Sequence, residues 1–313
     1  WKEHIYFIES NKLDFIYHIC SPWLVNKKHF GPKYVPHGGL LPSKATLRLT
    51  KEQNKIGNNL AKNMGIDEND WFVCLHNRSS SYLKKAISKK NFDVHNIRDC
   101  SFEMLYEAAN LIKTKGGKCI RMSSGEKEKL SNAAPSNIID YAVKWQTDFM
   151  DIYLPSKCKF FLGSGNGLLN VPQIFNIPVG CTNNFPVNSV TVPINSLFIP
   201  KLMWSIEDKR FISYKEILEG NLDKFLFATD FFSHGIEVIE NDLDDIKLLT
   251  EDMFDLVNNK KLSTKDENTR NDFMNRYFKV PAFTNKHHTY KGLKFSGKIS
   301  WRFLNKHSYL MNN

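Results

Sequence analysis

Two short stretches of the chain carry residue types that handle anions. "CLHNRSSSY" (74–82) ends an apolar run in His76 and Arg78, and "KFFLGSGNGLLNVPQIFNIPVG" (159–180) follows another with Gly163, Gly165 and Gly167. Side chains two apart at a strand end project to the same side. Arg78 can therefore grip a diphosphate with its planar fork while His76 hydrogen-bonds to it or exchanges a proton. The glycines let the backbone turn sharply and leave its N–H groups uncovered. With the Ser164 hydroxyl, and with the N-terminus of the helix expected next, those amides make an anion cradle. The dipole of such a helix gives a charge roughly 0.3–1 kcal/mol. Each stretch alone is equally readable as an ordinary strand-to-helix turn or as a half-buried histidine beside a surface arginine; their convergence would decide.

Other chemistries fit less well. The dinucleotide fingerprint G-x-G-x-x-G needs glycine at 168, where Leu168 stands, and an acidic residue about 20 positions on, where Asn183 and Asn184 stand. No Gly-Lys-Ser/Thr makes it a Walker loop. Asp242 and Asp244 open an apparent helix, where acids act as caps and dipole partners rather than as a metal pair. His287-His288 lacks a third ligand at zinc spacing. Asp148 and Asp151 begin another helix, as caps or weak candidates for the site. The six cysteines form no C-x-x-C pair, and Cys74, Cys119 and Cys181 lie in apolar runs, which points to buried thiols in a reducing compartment. Lysine and arginine outnumber acids 43 to 33, a formal +10 that favours anionic partners. No recognition motif or aromatic-laced basic run supports nucleic-acid binding, and clusters such as "KKAISKK" (84–90) read as solvated surface.

The elements needed to position these residues are regular from Trp71 onward. "WFVCLH" (71–76), "KCIRM" (118–122), "NIIDY" (137–141), "KFFLG" (159–163) and "PVGCT" (178–182) are strand-like. Helical spacing at Phe102, Leu105, Ala109 and Ile112 stops at Gly116-Gly117, and further helices are expected from Asp148 to Leu154 and before Phe175. Strands alternating with helices predict a parallel sheet covered by helices, with ligands at its carboxyl ends. The residues there are His76-Asn77-Arg78, Arg121-Met122-Ser123, Gly163 to Gly167 and Thr182-Asn183-Asn184, with Arg98 added to the same rim. None is a carboxylate, which suits an anion. "HGIEVIENDLDDIKLLTEDMFDLV" reads as a strand, a turn at Glu240-Asn241 and an amphipathic helix, and "GKISWRFLNKHSYLM" as a closing helix or arm. No apolar stretch approaches the roughly 20 residues that span a bilayer. At 313 residues the chain has room for two domains. It starts at Trp1, so it reads as a fragment with an incomplete N-terminal half.

Taken in order, the stretches resemble a family of bacterial glycosyltransferases of surface-polysaccharide synthesis. The resemblance rests on "CLHNRSSSY", "IRDCSFEMLYEAANLIKTKGGKCIRM", "IIDYA", "DFMDIYLPSKCKFFLGSGNGLLNVPQIFNIPV", "TNNFP", "GIEVIENDLDDI" and "SWRFLNKHSYL", with "FGPKYVP" a weak match before them. The departures are Ser79-Ser80-Ser81, where the family runs towards aspartate or glycine, and Ser123, where it has glycine. The resemblance implies an α/β, GT-B-like architecture. Residues 1–70 would be the remnant of an acceptor-side domain and linker, 71–260 a Rossmann-like nucleotide-sugar domain, and 261–313 a helical extension packing back on the fold. It implies a nucleotide-diphosphate sugar as donor and a glycan or lipid-linked acceptor, with no cofactor and no metal, because basic side chains and a helix N-terminus stabilise the departing diphosphate. His76 and Arg78 become the catalytic candidates. Arg98, Arg121, Ser123, Ser164, Gly165, Asn166, Gly167, Asn183, Glu240 and Asn241 become the donor-binding candidates. The expected location is cytoplasmic, with possible contact at the inner membrane surface. The rival readings are an NAD-dependent nucleotide-sugar oxidoreductase or epimerase and a non-catalytic nucleotide-sugar-binding protein.

Overall fold

Parallel strands covered on both faces need unbroken apolar runs, and the chain supplies them. The computed structural model describes residues 47–78, 97–123, 129–165, 167–187, 195–225, 227–278 and 297–311. Six of its strands are β1 (Phe72–His76), β2 (Lys118–Met122), β3 (Ile138–Ile139), β4 (Phe161–Ser164), β5 (Val179–Asn184) and β6 (Leu197–Pro200). All five residues of β1 and all six of β5 are buried. These strands pair in parallel in the order β3-β2-β1-β4-β5-β6. That is the doubly wound order, with its switch point between β1 and β4. The expected α/β class and helix-covered parallel sheet are therefore present.

Ten helices among the described residues surround the strands. They are α1 (Lys51–Asn63), α2 (Tyr106–Thr114), α3 (Tyr141–Lys144), α4 (Asp148–Lys157), α5 (Asn170–Ile174), α6 (Tyr214–Glu219), α7 (Ala228–Ser233), α8 (Leu243–Val257), α9 (Thr264–Tyr277) and α10 (Trp301–Lys306). From the switch point the chain travels one way through β1, β2 and β3 and the other way through β4, β5 and β6. Right-handed crossovers then put α2 and α5 on opposite faces. α8 lies along α2 and over β5 and β6. A Cβ on Gly180 would stand 2.9 Å from Leu162 Cδ1 and 3.1 Å from Met253 Cγ, so glycine lets α8 sit this close to the sheet.

At the other end of the described chain, α1 begins in a capping box between Thr50 and Gln53. It packs on α4 through Gly57, where a Cβ would lie 2.1 Å from the Tyr153 ring. The rest of the segment assigned to an N-terminal remnant, residues 1–46, lies outside the described residues, as do Ser79–Ser81, the "KKAISKK" cluster and His287-His288.

Three more strands, β7 (Leu202–Ser205), β8 (Arg210–Phe211) and β9 (Ile236–Ile239), form an antiparallel sheet in the order β8-β7-β9. It has its own small core of Met203, Ile212, Ile217, Phe231 and Ile236. β7 continues from β6 through Lys201, and β9 returns through Glu240 and Asn241, so this sheet stands on the carboxyl end of the main one. The last strand, β10 (Lys298–Ile299), pairs in parallel with β6 and completes a seven-stranded sheet.

Candidate functional site

The switch point separates the two loops richest in sequence candidates, and the structure joins them. The Arg78 backbone N–H donates to Ser164 Oγ at 2.6 Å. Cys100 N–H donates to the Arg78 carbonyl at 3.1 Å, and the Asn77 side chain donates to the Cys100 carbonyl at 2.9 Å. Gly163 makes the approach possible, because a Cβ there would stand 2.4 Å from the His76 carbonyl oxygen. Ser164, 1% exposed, thus serves first as a clamp between β1 and β4.

Cations gather above this clamp. Arg78 forms an ion pair with Asp99. Arg98 is largely buried; burial, then the neighbouring Arg78 charge, holds its ionisation below the usual arginine range, against the pull of Asp99. Its Nε is buried with no hydrogen-bond partner among the described residues. Lys201, 3% exposed, donates to the Asp99 carbonyl at 2.8 Å and lies 4.0 Å from Glu240. Burial, the largest influence, lowers its pKa, as does Arg78, while Glu240, Cys100 and Asp99 raise it. Three cations thus face two carboxylates in a partly desolvated crevice, an arrangement that an added anion would relieve. Glu240, the more exposed of the two acids, accepts from Ser101 N–H at 3.3 Å.

His76 sits below the rim, 7% exposed and against Phe161. Its Nδ1–H donates to the Met122 carbonyl at 2.7 Å, which fixes that proton and makes Nε2 the basic nitrogen. Burial lowers its pKa to about 4, the Met122 hydrogen bond opposing, so the ring is neutral near neutral pH.

The remaining candidates are not all brought together. Arg121 was expected to aim at the Ser164 turn. Its described partners are instead Asp140 at the end of β3, 3.2 Å away, and the Phe102 ring, 5.1 Å from the guanidinium carbon. The cause is register: Arg121 pairs with Leu75, one residue short of the end of β1, and Asp140 draws the guanidinium towards the outer strands. Ser123, 7% exposed, follows β2 on that same side.

Asn183 and Asn241 hold each other. Asn183 N–H donates to Asn241 Oδ1 at 2.7 Å, Asn241 N–H donates to Asn183 Oδ1 at 2.8 Å, and Asn241 Nδ2 donates to the Pro200 carbonyl at 2.8 Å. They are 3% and 0% exposed, and their mutual hydrogen bonds hold the turn that presents Glu240. Gly165 is open, with nothing within 4 Å of a Cβ placed there. Asn166 lies outside the described residues. Gly167 begins a one-turn 3-10 helix to Leu169 that runs into the five-residue α5. The helix expected before Phe175 is therefore present but short, so its dipole is small, and any anion there relies on side-chain cations and individual amides.

Two acidic groups have structural partners. Thr147, not Asp148, caps α4, and Asp151 accepts from the Tyr141 hydroxyl and from Gln146, each at 2.8 Å. Asp242 caps α8, and Lys306 reaches Asp242, Asp244 and Asp245. Among the described residues no group of His, Cys, Asp and Glu is arranged for a metal ion. Sequence reading missed Asp99, Asp140 and above all Lys201. The last was findable: a lone lysine between the apolar runs "LFIP" and "LMWS" is an unusual charge to bury.

No protein-family model matches the chain, and no curated protein matches it. Among solved structures, it is similar to one described as "The crystal structure of the glycosyl transferase family 9 from Veillonella parvula DSM 2008". That similarity has a TM-score of 0.43 at 8% identity, over 68% of this chain and 53% of the other, so the chain spans about half the length of that protein.

Proposed function

We propose that the switch-point crevice binds a nucleotide-diphosphate sugar and that the chain transfers the sugar to a glycan or a lipid-linked acceptor. The observation that carries this reading is the buried Arg98 Nε without a described partner, set beside Arg78 and Lys201 at the carboxyl ends of β1, β4 and β6. Buried donors are nearly always satisfied, and a diphosphate would satisfy this one. In the transfer, the bond from the anomeric carbon to the diphosphate oxygen breaks as the acceptor oxygen bonds to that carbon. Negative charge grows on the departing diphosphate, where preorganised cations stabilise it most. Arg78, Arg98 and Lys201 take that role, which is why no metal is invoked. The open backbone at Gly165 admits the phosphate, Glu240 meets hydroxyls of the donor sugar, and neutral His76 supports the reacting end through Nε2. Arg121, held by Asp140, and Ser123 lie one strand further out and are given no contact with the diphosphate. Polysaccharide synthesis and contact with a membrane surface belong to the same proposal; no helix among the described residues is long and apolar enough to cross a bilayer.

The oxidoreductase rival is weakened by topology. In dinucleotide folds the glycine fingerprint occupies the first βα turn and an acid follows the next strand. Here β1 ends in His76-Asn77-Arg78 and β2 in Met122-Ser123, while the glycines follow β4. The test is calorimetric titration with UDP, GDP and NAD, on wild type and Lys201→Met. UDP or GDP should bind, and K201M should weaken the diphosphate at least tenfold while leaving uridine or guanosine unchanged. Binding of NAD alone, or equal losses for diphosphate and nucleoside, would end the proposal. Slow hydrolysis of the bound nucleotide sugar separates an enzyme from a binding protein.

A further inference from the structure

An open cleft of about 580 Å³ lies on the antiparallel sheet, away from the cations of the switch point. Trp204, Phe211 and Tyr309 supply its aromatic wall, with Arg210, Glu216 and Glu219 among its polar residues. The rings come from β7, β8 and the turn after α10. Trp204 meets Phe211 edge-on at 5.0 Å, and Tyr309 stacks on Phe211 at 5.3 Å. All three are only half-buried. The nearby Tyr214 and Phe273 are fully buried, as ordinary core aromatics are. The polar side is cross-linked. Arg210 grips Glu216 with both guanidinium nitrogens, at 3.1 and 2.6 Å, and Glu216 Oε2 also accepts from Ser213 N–H and Oγ, each at 2.8 Å. These bonds lower the Glu216 pKa to about 2, the Arg210 bond first among them, so the carboxylate is charged at working pH.

We infer that this cleft is a carbohydrate-binding site for an uncharged oligosaccharide. A ligand must use three features together: apolar ring faces, fixed donors and acceptors side by side, and no net charge. The lining has two cations, Arg210 and Lys215, and two carboxylates, Glu216 and Glu219. In a chain of net charge +10, such a balanced surface does not select an anion. A pyranose matches all three features. Its C–H face lies on an aromatic ring, whose negative face attracts the slightly positive hydrogens. Its vicinal hydroxyls donate to a carboxylate and accept from a guanidinium. A flat nucleobase could not be sandwiched between Trp204 and Phe211, whose planes meet at 80°. The volume falls within the roughly 300–1,000 Å³ usual for small-ligand sites. As a holder of the acceptor glycan the cleft rests on the transferase reading; as a carbohydrate site it stands without it.

The experiment is an array of neutral and acidic oligosaccharides read with the full chain, followed by calorimetry of the best neutral binder. Trp204→Leu and the exposed Glu219→Gln should each weaken that oligosaccharide at least fivefold, W204L more, and leave UDP binding unchanged. Melting curves check that both variants are folded. Retention of acidic glycans only, retention of none, or unchanged affinity in folded W204L overturns the inference. So does displacement of the glycan by uridine or adenosine, which would make the cleft a base pocket. If UDP fails to bind while the glycan does, the donor reading falls and this one stands.

Discussion

Burial shifts two titratable groups, one at the end of β1 and one in α4, in opposite directions. His76 is held neutral, with its pKa lowered to about 4. Asp151 is pushed up to about 6 by burial, against hydrogen bonds from Gln146 and Tyr141 and with the Asp148 charge adding to the rise. The unfolded chain takes up the histidine proton at its ordinary value of 6.5, so His76 withdraws stability as pH falls from there towards 4. Asp151 takes its proton in the folded state first, so it adds stability as pH falls from about 6 towards 3.8. Between about pH 7.5 and about pH 5 the linkage amounts to a loss of about 2 kcal/mol from His76 and a gain of about 1 kcal/mol from Asp151. Urea unfolding at the two pH values should show Asp151→Asn losing about 1 kcal/mol more than wild type across that interval. His76→Gln should lose about 2 kcal/mol less. Parallel pH dependence in all three proteins would show that neither shift exists.

At the scale of elements, two glycines two residues apart do different work. Gly163 lies in β4 with no room for a side chain: a Cβ would be 2.4 Å from the His76 oxygen and 3.0 Å from its Cβ. Gly163→Ala must push β4 from β1 and should cost about 1–3 kcal/mol, with a matching fall in melting temperature. Gly165 faces open space, so Gly165→Ala should change stability by less than about 0.5 kcal/mol. If its bare backbone serves the phosphate, that variant still loses UDP affinity; unchanged affinity would remove Gly165 from the site. The pair also shows what was legible in advance. Apolar runs and glycine placement revealed β1, β2, β4 and β5, because those features are local in sequence. The parallel-sheet rule then put the Arg78 and Ser164 loops on one rim, but not the hydrogen bond that joins them across 86 residues. The direction of Arg121 was not legible, since it depends on a register one residue short of the strand end and on Asp140 across a strand. Nor was the antiparallel sheet, whose strands "LMWS" and "RF" are too short for any period to show and form only by pairing over distance. Lys201 became part of the site only because β7 leaves β6 at that point.

At the scale of the molecule, the final segment ties three parts together. β10 covers the edge of β6, which would otherwise offer unpaired backbone groups. Phe303 and Leu304 are fully buried, and Tyr309 reaches the antiparallel sheet. The tie is electrostatic at α8. Asp252, 5% exposed, accepts from Ser300 Oγ at 2.6 Å, from Arg302 N–H at 3.0 Å and from the Arg302 guanidinium. Arg302 also reaches Asp255 at 2.7 Å and Glu251 at 3.2 Å, while His307 meets Asp245 at 2.6 Å. Asp252→Ala takes the buried acceptor away from Ser300 Oγ and the Arg302 N–H, while the Arg302 guanidinium, about a third exposed, keeps Asp255 and Glu251. The loss should be about 1–3 kcal/mol, the cost of leaving buried donors unsatisfied, whereas exposed Asp244→Ala should cost less than about 1 kcal/mol. The double variant Asp252→Ala/Arg302→Met should differ from the sum of its singles by at least about 0.5 kcal/mol, because the two residues share one network. Since Tyr309 walls the glycan cleft, Asp252→Ala should also open the last segment to limited proteolysis and weaken oligosaccharide binding in step. A variant that stays within about 1 kcal/mol of wild type and resists the protease would show that apolar packing alone seats this segment.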